Sequence, residues 1–89
     1  MITEYKVEQK INGKWTEIYS DRNEFYARNV AGGLSTLSPQ TPVRMFEIRF
    51  KNGRLKEMIE YGVSPPTWSG SPEITARGPE IFIRERKKL

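Results

Sequence analysis

The chain contains neither cysteine nor histidine. Without cysteine there is no disulfide framework and no thiolate metal site, so stability must come from packing, and a reducing compartment such as the cytoplasm is the expected location. Losing histidine as well removes the commonest nucleophile–base pairs. A serine nucleophile would need a lysine or carboxylate base, and no serine stands in a G-x-S-x-G elbow. No Asp-rich calcium loop occurs. The stretch Gly32-Gly33-Leu34-Ser35-Thr36 lacks the Gly-Lys-Ser/Thr order of a phosphate-binding loop and lies in a helical stretch, so it reads as a packing or termination feature. No catalytic activity, no metal and no cofactor are expected. Apolar runs long enough to span a membrane or form a signal peptide are also missing, which points to a soluble, unexported protein.

What remains suits one small domain over residues 1–89. Hydrophobic residues make up 36% of the chain, enough for folding and more than disorder would show. Fifteen Lys and Arg against eleven Asp and Glu give a net charge of +4, a value ordinary for solubility that also favours anionic partners.

Two Asn-Gly pairs, Asn12-Gly13 and Asn52-Gly53, each separate two alternating runs, the signature of a β-hairpin closed by a type I′ turn. In residues 43–61 a two-residue turn fixes a register in which Phe46, Ile48, Phe50, Leu55 and Ile59 line the core side. The opposite side then carries Met45, Glu47, Arg49, Lys51, Arg54, Lys56, Met58 and Glu60. In residues 5–19 the same reasoning puts Tyr5, Val7, Ile11 and Ile18 on the core side. Lys6, Glu8, Lys10, Trp15, Glu17 and Tyr19 fall on the other, with Trp15 opposite Lys10 and Tyr19 opposite Lys6. Glu8 and Glu17 become cross-strand neighbours, and splayed, solvated carboxylates are the expected state of that pair.

Between the hairpins, Ala27, Val30, Ala31, Leu34 and Leu37 recur at helical spacing, and Asp21 with Glu24 has capping-box spacing. Tyr26 borders the stripe and Phe25 falls nearer the polar side. Gly32-Gly33 either ends the helix near Ala31 or allows close approach of helix and sheet. Residues 62–72 read as an irregular Pro/Ser/Gly-rich loop with Trp68 as its anchor. Residues 73–76 suit a short strand, residues 77–79 a turn and residues 80–86 a last strand, with a helix as the alternative for this end and residues 87–89 as a basic tail.

The expected fold is α+β, hairpin-helix-hairpin plus a C-terminal strand, one helix packed on a four- or five-stranded antiparallel sheet. The expected function is a non-catalytic protein-binding module with Trp15, Tyr19, Met45 and Met58 on the outer sheet face and Phe25 as a further contact. Small domains of this inventory are frequent among phage and mobile-element accessory proteins that inhibit a host or defence protein. The alternative is nucleic-acid binding by Arg49, Lys51, Arg54 and Lys56 at the second hairpin tip and Arg84, Arg86, Lys87 and Lys88 at the C-terminus, with Trp15 or Tyr19 stacking on bases. A third reading is a small anionic ligand, such as a nucleotide, held at an oligomer interface. Exposed edge strands leave room for a homodimer.

Overall fold

The computed structural model describes residues 1–69 and 75–89. Strands β1 (Ile2–Ile11) and β2 (Lys14–Asp21) form the first hairpin, helix α1 (Glu24–Leu37) follows, and β3 (Val43–Lys51) and β4 (Arg54–Ser64) form the second. Short strands β5 (Thr67–Ser69) and β6 (Thr75–Arg77) pair with each other, and β7 (Glu80–Lys88) completes a five-stranded sheet of order β2-β1-β3-β4-β7. Every pairing in it is antiparallel. The fold is α+β, with the helix lying across one sheet face. Both turns have the backbone that Asn-Gly favours: φ is 52° and 80° at Asn12 and Gly13, and 53° and 74° at Asn52 and Gly53.

The strands depart from simple alternation at three β-bulges. Glu8 pairs with Glu17 but Val7 pairs with Tyr19, leaving Ile18 as the extra residue. Phe50 pairs with Leu55 but Arg49 pairs with Glu57, leaving Lys56 unmatched. Glu60 pairs with Glu85 but Tyr61 pairs with Ile83, leaving Arg84 unmatched. One extra residue moves every later side chain of that strand to the other face. Ile59, Tyr61 and Val63 therefore stand behind Val43 and Met45, not behind Phe46 and Ile48.

The core is accordingly not the one alternation predicts. Tyr5, Val7, Val43, Met45, Ile59 and Tyr61 are buried under Ala27 and Ala31 of the helix, with Tyr19, Val30, Leu34, Val63 and Ile81 packed around them. Phe46, Ile48, Phe50 and Leu55, expected on the core side, belong to the face without the helix, where Ile48 is nevertheless buried at 7% exposure and the other three are half-buried. Ile18 moves out to 40% exposure, and Tyr19 takes its place against the core.

The N-cap is Asn23, whose side chain accepts from the Tyr26 amide at 3.2 Å. Asp21 has another role: it accepts from the Asn23 amide at 3.0 Å and from the Tyr19 hydroxyl at 2.6 Å, and the Tyr19 bond holds its carboxyl below the usual range. The helix runs on through both glycines to Leu37, which the expected stripe would bury but which is 83% exposed. Gly32 is buried because Pro79, just before β7, lies on it; a Cβ there would sit 3.2 Å from the proline Cγ. The close approach allowed is thus to the returning chain. Gly33 faces open space.

Towards the C-terminus, β4 extends to Ser64, so the irregular loop is shorter than residues 62–72. The strand at the C-terminal end is borne out and continues through Lys88, absorbing most of the basic tail. The Trp68 side chain and position Glu73 lie outside the described residues.

Gly33→Ala should stabilise the domain by about 0.5–1 kcal/mol, since an exposed helix-interior glycine gains propensity without a clash. Gly32→Ala should gain less or destabilise, because Pro79 must give way. Urea denaturation of the two variants compares them directly.

Candidate binding surface

Two sheet faces with opposite chemistry result. On the helix side, beyond the apolar core, lies a buried polar cluster. Glu47 is 4% exposed; its Oε1 accepts from the Tyr61 hydroxyl at 3.0 Å and its Oε2 from Arg49 Nε at 2.7 Å. Arg49 Nη1 also lies 3.1 Å from Glu57 Oε1, an oxygen that completes no hydrogen bond of good geometry. Arg28, from the helix, stacks over the Tyr61 ring at 5.4 Å. Burial and the Glu47 bond push the Tyr61 hydroxyl up to about 12, and burial followed by the Glu47 charge raises Tyr5, the cross-strand neighbour of Glu47. This cluster gives both oxygens of the buried Glu47 carboxylate a partner. It also removes Arg49 from the basic hairpin tip in which its sequence position places it.

The other face is open. At its β2 side, Trp15, Arg44 and Phe46 form a stack: the Arg44 guanidinium lies 4.1 Å from the Trp15 ring centre and 4.8 Å from that of Phe46. Glu8 fixes the guanidinium from the side, accepting from Nε at 2.8 Å and from Nη2 at 2.7 Å. Lys10 reaches the same indole at 5.8 Å. Glu8 and Glu17 are the cross-strand pair that alternation predicts, and each has its own cation, Arg44 for Glu8 and Lys6, at 3.6 Å, for Glu17. Further across the face, Phe46, Met58, Glu60, Glu85 and Lys87 line a shallow depression. Phe82 lies over Gly62, where a Cβ would come within 2.6 Å of its ring, and Arg84 lies beside both.

Of the residues expected to contact a partner, the open face brings together Trp15 and Met58. Met45 is 0% exposed beneath the helix, and Tyr19 turns to the helix side, where Asp21 takes its hydroxyl. Neither lies on the open face, because the bulges at Ile18 and Lys56 set which side is covered. Phe25 stands exposed on the helix, 6.0 Å from the Tyr26 ring, away from the open face. Sequence reasoning missed Arg44, Phe46 and Phe82 as contact candidates. Alternation does place Arg44 and Phe46 on one side of β3, and Trp15 opposite Lys10 pointed at the same region.

The basic residues also divide. Lys51, Arg54 and Lys56 surround a shallow basin at the second turn. Lys87 and Lys88 pair across from Met58 and Glu57, so the C-terminal cations run alongside the same hairpin. Arg86 pairs across from Ile59, on the helix side, and Arg84 lies 3.9 Å from Glu60. Among the described residues no helix is long and apolar enough to cross a membrane, and no three His, Cys, Asp or Glu side chains gather as metal ligands.

No family model, no curated protein and no solved structure matches this chain.

A double-mutant cycle between Trp15→Ala and Arg44→Ala should give a coupling energy of about 0.5–1 kcal/mol, the range of an exposed to half-buried cation–π contact. A value near zero would mean the stack is not formed in solution. Tyr61 supplies a pH test. Between pH 10 and 12 the folded protein keeps a proton that the unfolded chain releases, so stability falls as pH rises through that window. Tyr61→Phe should make that alkaline slope shallower. It should also cost about 1–3 kcal/mol at neutral pH, because Glu47 loses a buried donor. Urea denaturation across pH measures both effects, and tyrosinate absorbance should lose its latest-ionising group.

Proposed function

We propose that this chain is a small, non-catalytic protein-binding module whose contact surface is the open sheet face around Trp15, Arg44, Phe46, Met58 and Phe82. The observation that carries the reading is the parity of β3. Its more apolar set, Phe46, Ile48 and Phe50, stands on the side without the helix, while the covered set includes Glu47 and Arg49. A domain gains most by covering its most apolar row; here Ile48 is buried by its neighbours while Phe46 and Phe50 stay half-buried without a covering element, and a partly exposed aromatic strip within a charged rim suits a protein interface.

Composition supports the same reading. Trp and Arg are the residue types that most often dominate binding energy. Arg44 is already held between two rings and a carboxylate, so docking on it immobilises little that is mobile. Charges on this face are mixed, with Lys6, Lys10, Arg44 and Lys87 among Glu8, Glu17, Glu60 and Glu85, a pattern suited to a protein surface more than to a phosphate backbone. A domain of this size can act by occupying its partner's surface, the mode of action of an inhibitor.

The test is affinity capture from a cell extract with three immobilised forms: wild type, Trp15→Ala with Met58→Lys on the open face, and Phe25→Ser on the helix. A protein retained by wild type and Phe25→Ser but lost by the open-face variant is the expected result. All three should unfold cooperatively. Equal retention by the open-face variant would place the contact elsewhere.

A further inference from the structure

Residues 51–56 and residue 88 are distant in sequence, yet the β4–β7 ladder sets them side by side. Lys88 pairs across from Glu57, and the Leu89 amide donates to the Lys56 carbonyl at 2.8 Å. The end of the sheet at the second turn therefore carries Lys51, Arg54, Lys56 and Lys88, all exposed. Glu57, the carboxylate nearest in the ladder, does not neutralise them, because it turns to Arg49. Among the described residues none of these four cations forms an ion pair. Such a cluster, with no apolar centre of its own, suits phosphates better than an acidic protein surface.

An apolar groove adjoins it. A cleft of about 410 Å³ beside the same turn is lined by Met1, Ile2 and Phe50 together with Glu4, Arg22 and Asn52, and Asn52 also borders the basin of Lys51, Arg54 and Lys56. An aromatic side chain in a groove beside a row of unpaired cations is the arrangement by which unstacked bases and their backbone are held together. We propose that this end of the sheet binds single-stranded nucleic acid, with phosphates on Lys51, Arg54, Lys56 and Lys88 and a base over Phe50. In a duplex the bases are stacked inside the helix, and the groove would stay empty. The site lies at the end of the sheet away from Trp15; it shares Phe50 with the apolar row of β3, but the four unpaired cations that carry it take no part in the open-face reading. The opposite end holds Lys10 and Lys14 at the first turn and supplies an internal control for net charge.

The test is titration of labelled random single-stranded DNA and RNA oligonucleotides at several salt concentrations. Wild type should bind with a log–log salt slope of about −3, the value for four phosphates on a single strand. Arg54→Glu with Lys56→Glu should weaken binding by about tenfold or more and flatten that slope by about 1.4. Phe50→Ala should weaken binding about fivefold or more and leave the slope unchanged. If Phe50→Ala does not unfold cooperatively, Phe50→Leu, which keeps bulk without the ring, replaces it. Lys10→Glu with Lys14→Glu should stay close to wild type. The proposal is overturned by no binding at low salt, by equal losses in the two charge reversals, or by duplex binding as tight as single-strand binding. Competition by polyglutamate as effective as by unlabelled oligonucleotide would overturn it too, and would point to an acidic protein partner.

Discussion

The extra residue at Lys56 is the constraint on which most of this structure depends. Without it, the two-residue turn at Asn52-Gly53 would carry Leu55, Ile59, Tyr61 and Val63 onto the side of Phe46, Ile48 and Phe50. With it, only Leu55 stays there, and Ile59, Tyr61 and Val63 join Val43 and Met45. The bulge at Ile18 acts in the same sense on the other hairpin, bringing Tyr19 beside Val7. Which face the helix covers, which aromatics remain available and which cations stay unpaired all follow from these two insertions.

The covered face then has to accommodate charge. Burying Glu47 alone would cost several kcal/mol, and the cost is offset because Arg49, two residues along the same face, and Tyr61, from the neighbouring strand, both bond to it. Glu57 comes to the other side of Arg49 through the same shift of register. The helix meets this surface with small residues, Ala27, Ala31, Gly32 and Ser35, so it sits close and the core is thin. Tyrosines suit such a core: the rings of Tyr5, Tyr19 and Tyr61 fill it, while the Tyr19 and Tyr61 hydroxyls reach partners at its edge.

Local signals were legible in the sequence, and long-range ones were not. Both Asn-Gly turns, the helix and the C-terminal strand are where composition and spacing place them, because each depends on the φ/ψ preferences or periodicity of a few adjacent residues. The α+β architecture follows from their order. Facing was misread because both parities of β3 are partly apolar, Val43 and Met45 against Phe46, Ile48 and Phe50. Alternation alone favours the second set, and nothing adjacent to Lys56 or Ile18 marks a bulge. The same limit explains the sites. Trp15, Tyr19, Met45 and Met58 were all assigned to an outer face on an unbroken alternation; Trp15 lies before the Ile18 bulge and stays there, Met58 stands on the open face only because the Lys56 bulge moves it there, and Met45 and Tyr19 are on the covered side. Arg49 was counted as a free cation because its two carboxylate partners are brought to it by a register that no local pattern encodes. Gly32 is a further case: its neighbour is Pro79, and only the closed chain brings them together.

The side chains offered as contacts are also those that the helix-side core does not include. Trp15, Phe46 and Phe82 are not members of the helix-side core. The ion pairs of the covered face involve none of the Lys51, Arg54 and Lys56 side chains. A chain of this length has little apolar surface to spare, since small domains bury a modest share of what their unfolded chain exposes. Leaving Phe46 and Phe50 half-buried on the side without the helix, beside a buried Ile48, therefore gives up part of the stability that full burial would have supplied. That sacrifice is hard to account for by packing alone. It is accounted for if the open face completes its burial against a partner, because the area withheld from the core then contributes to association.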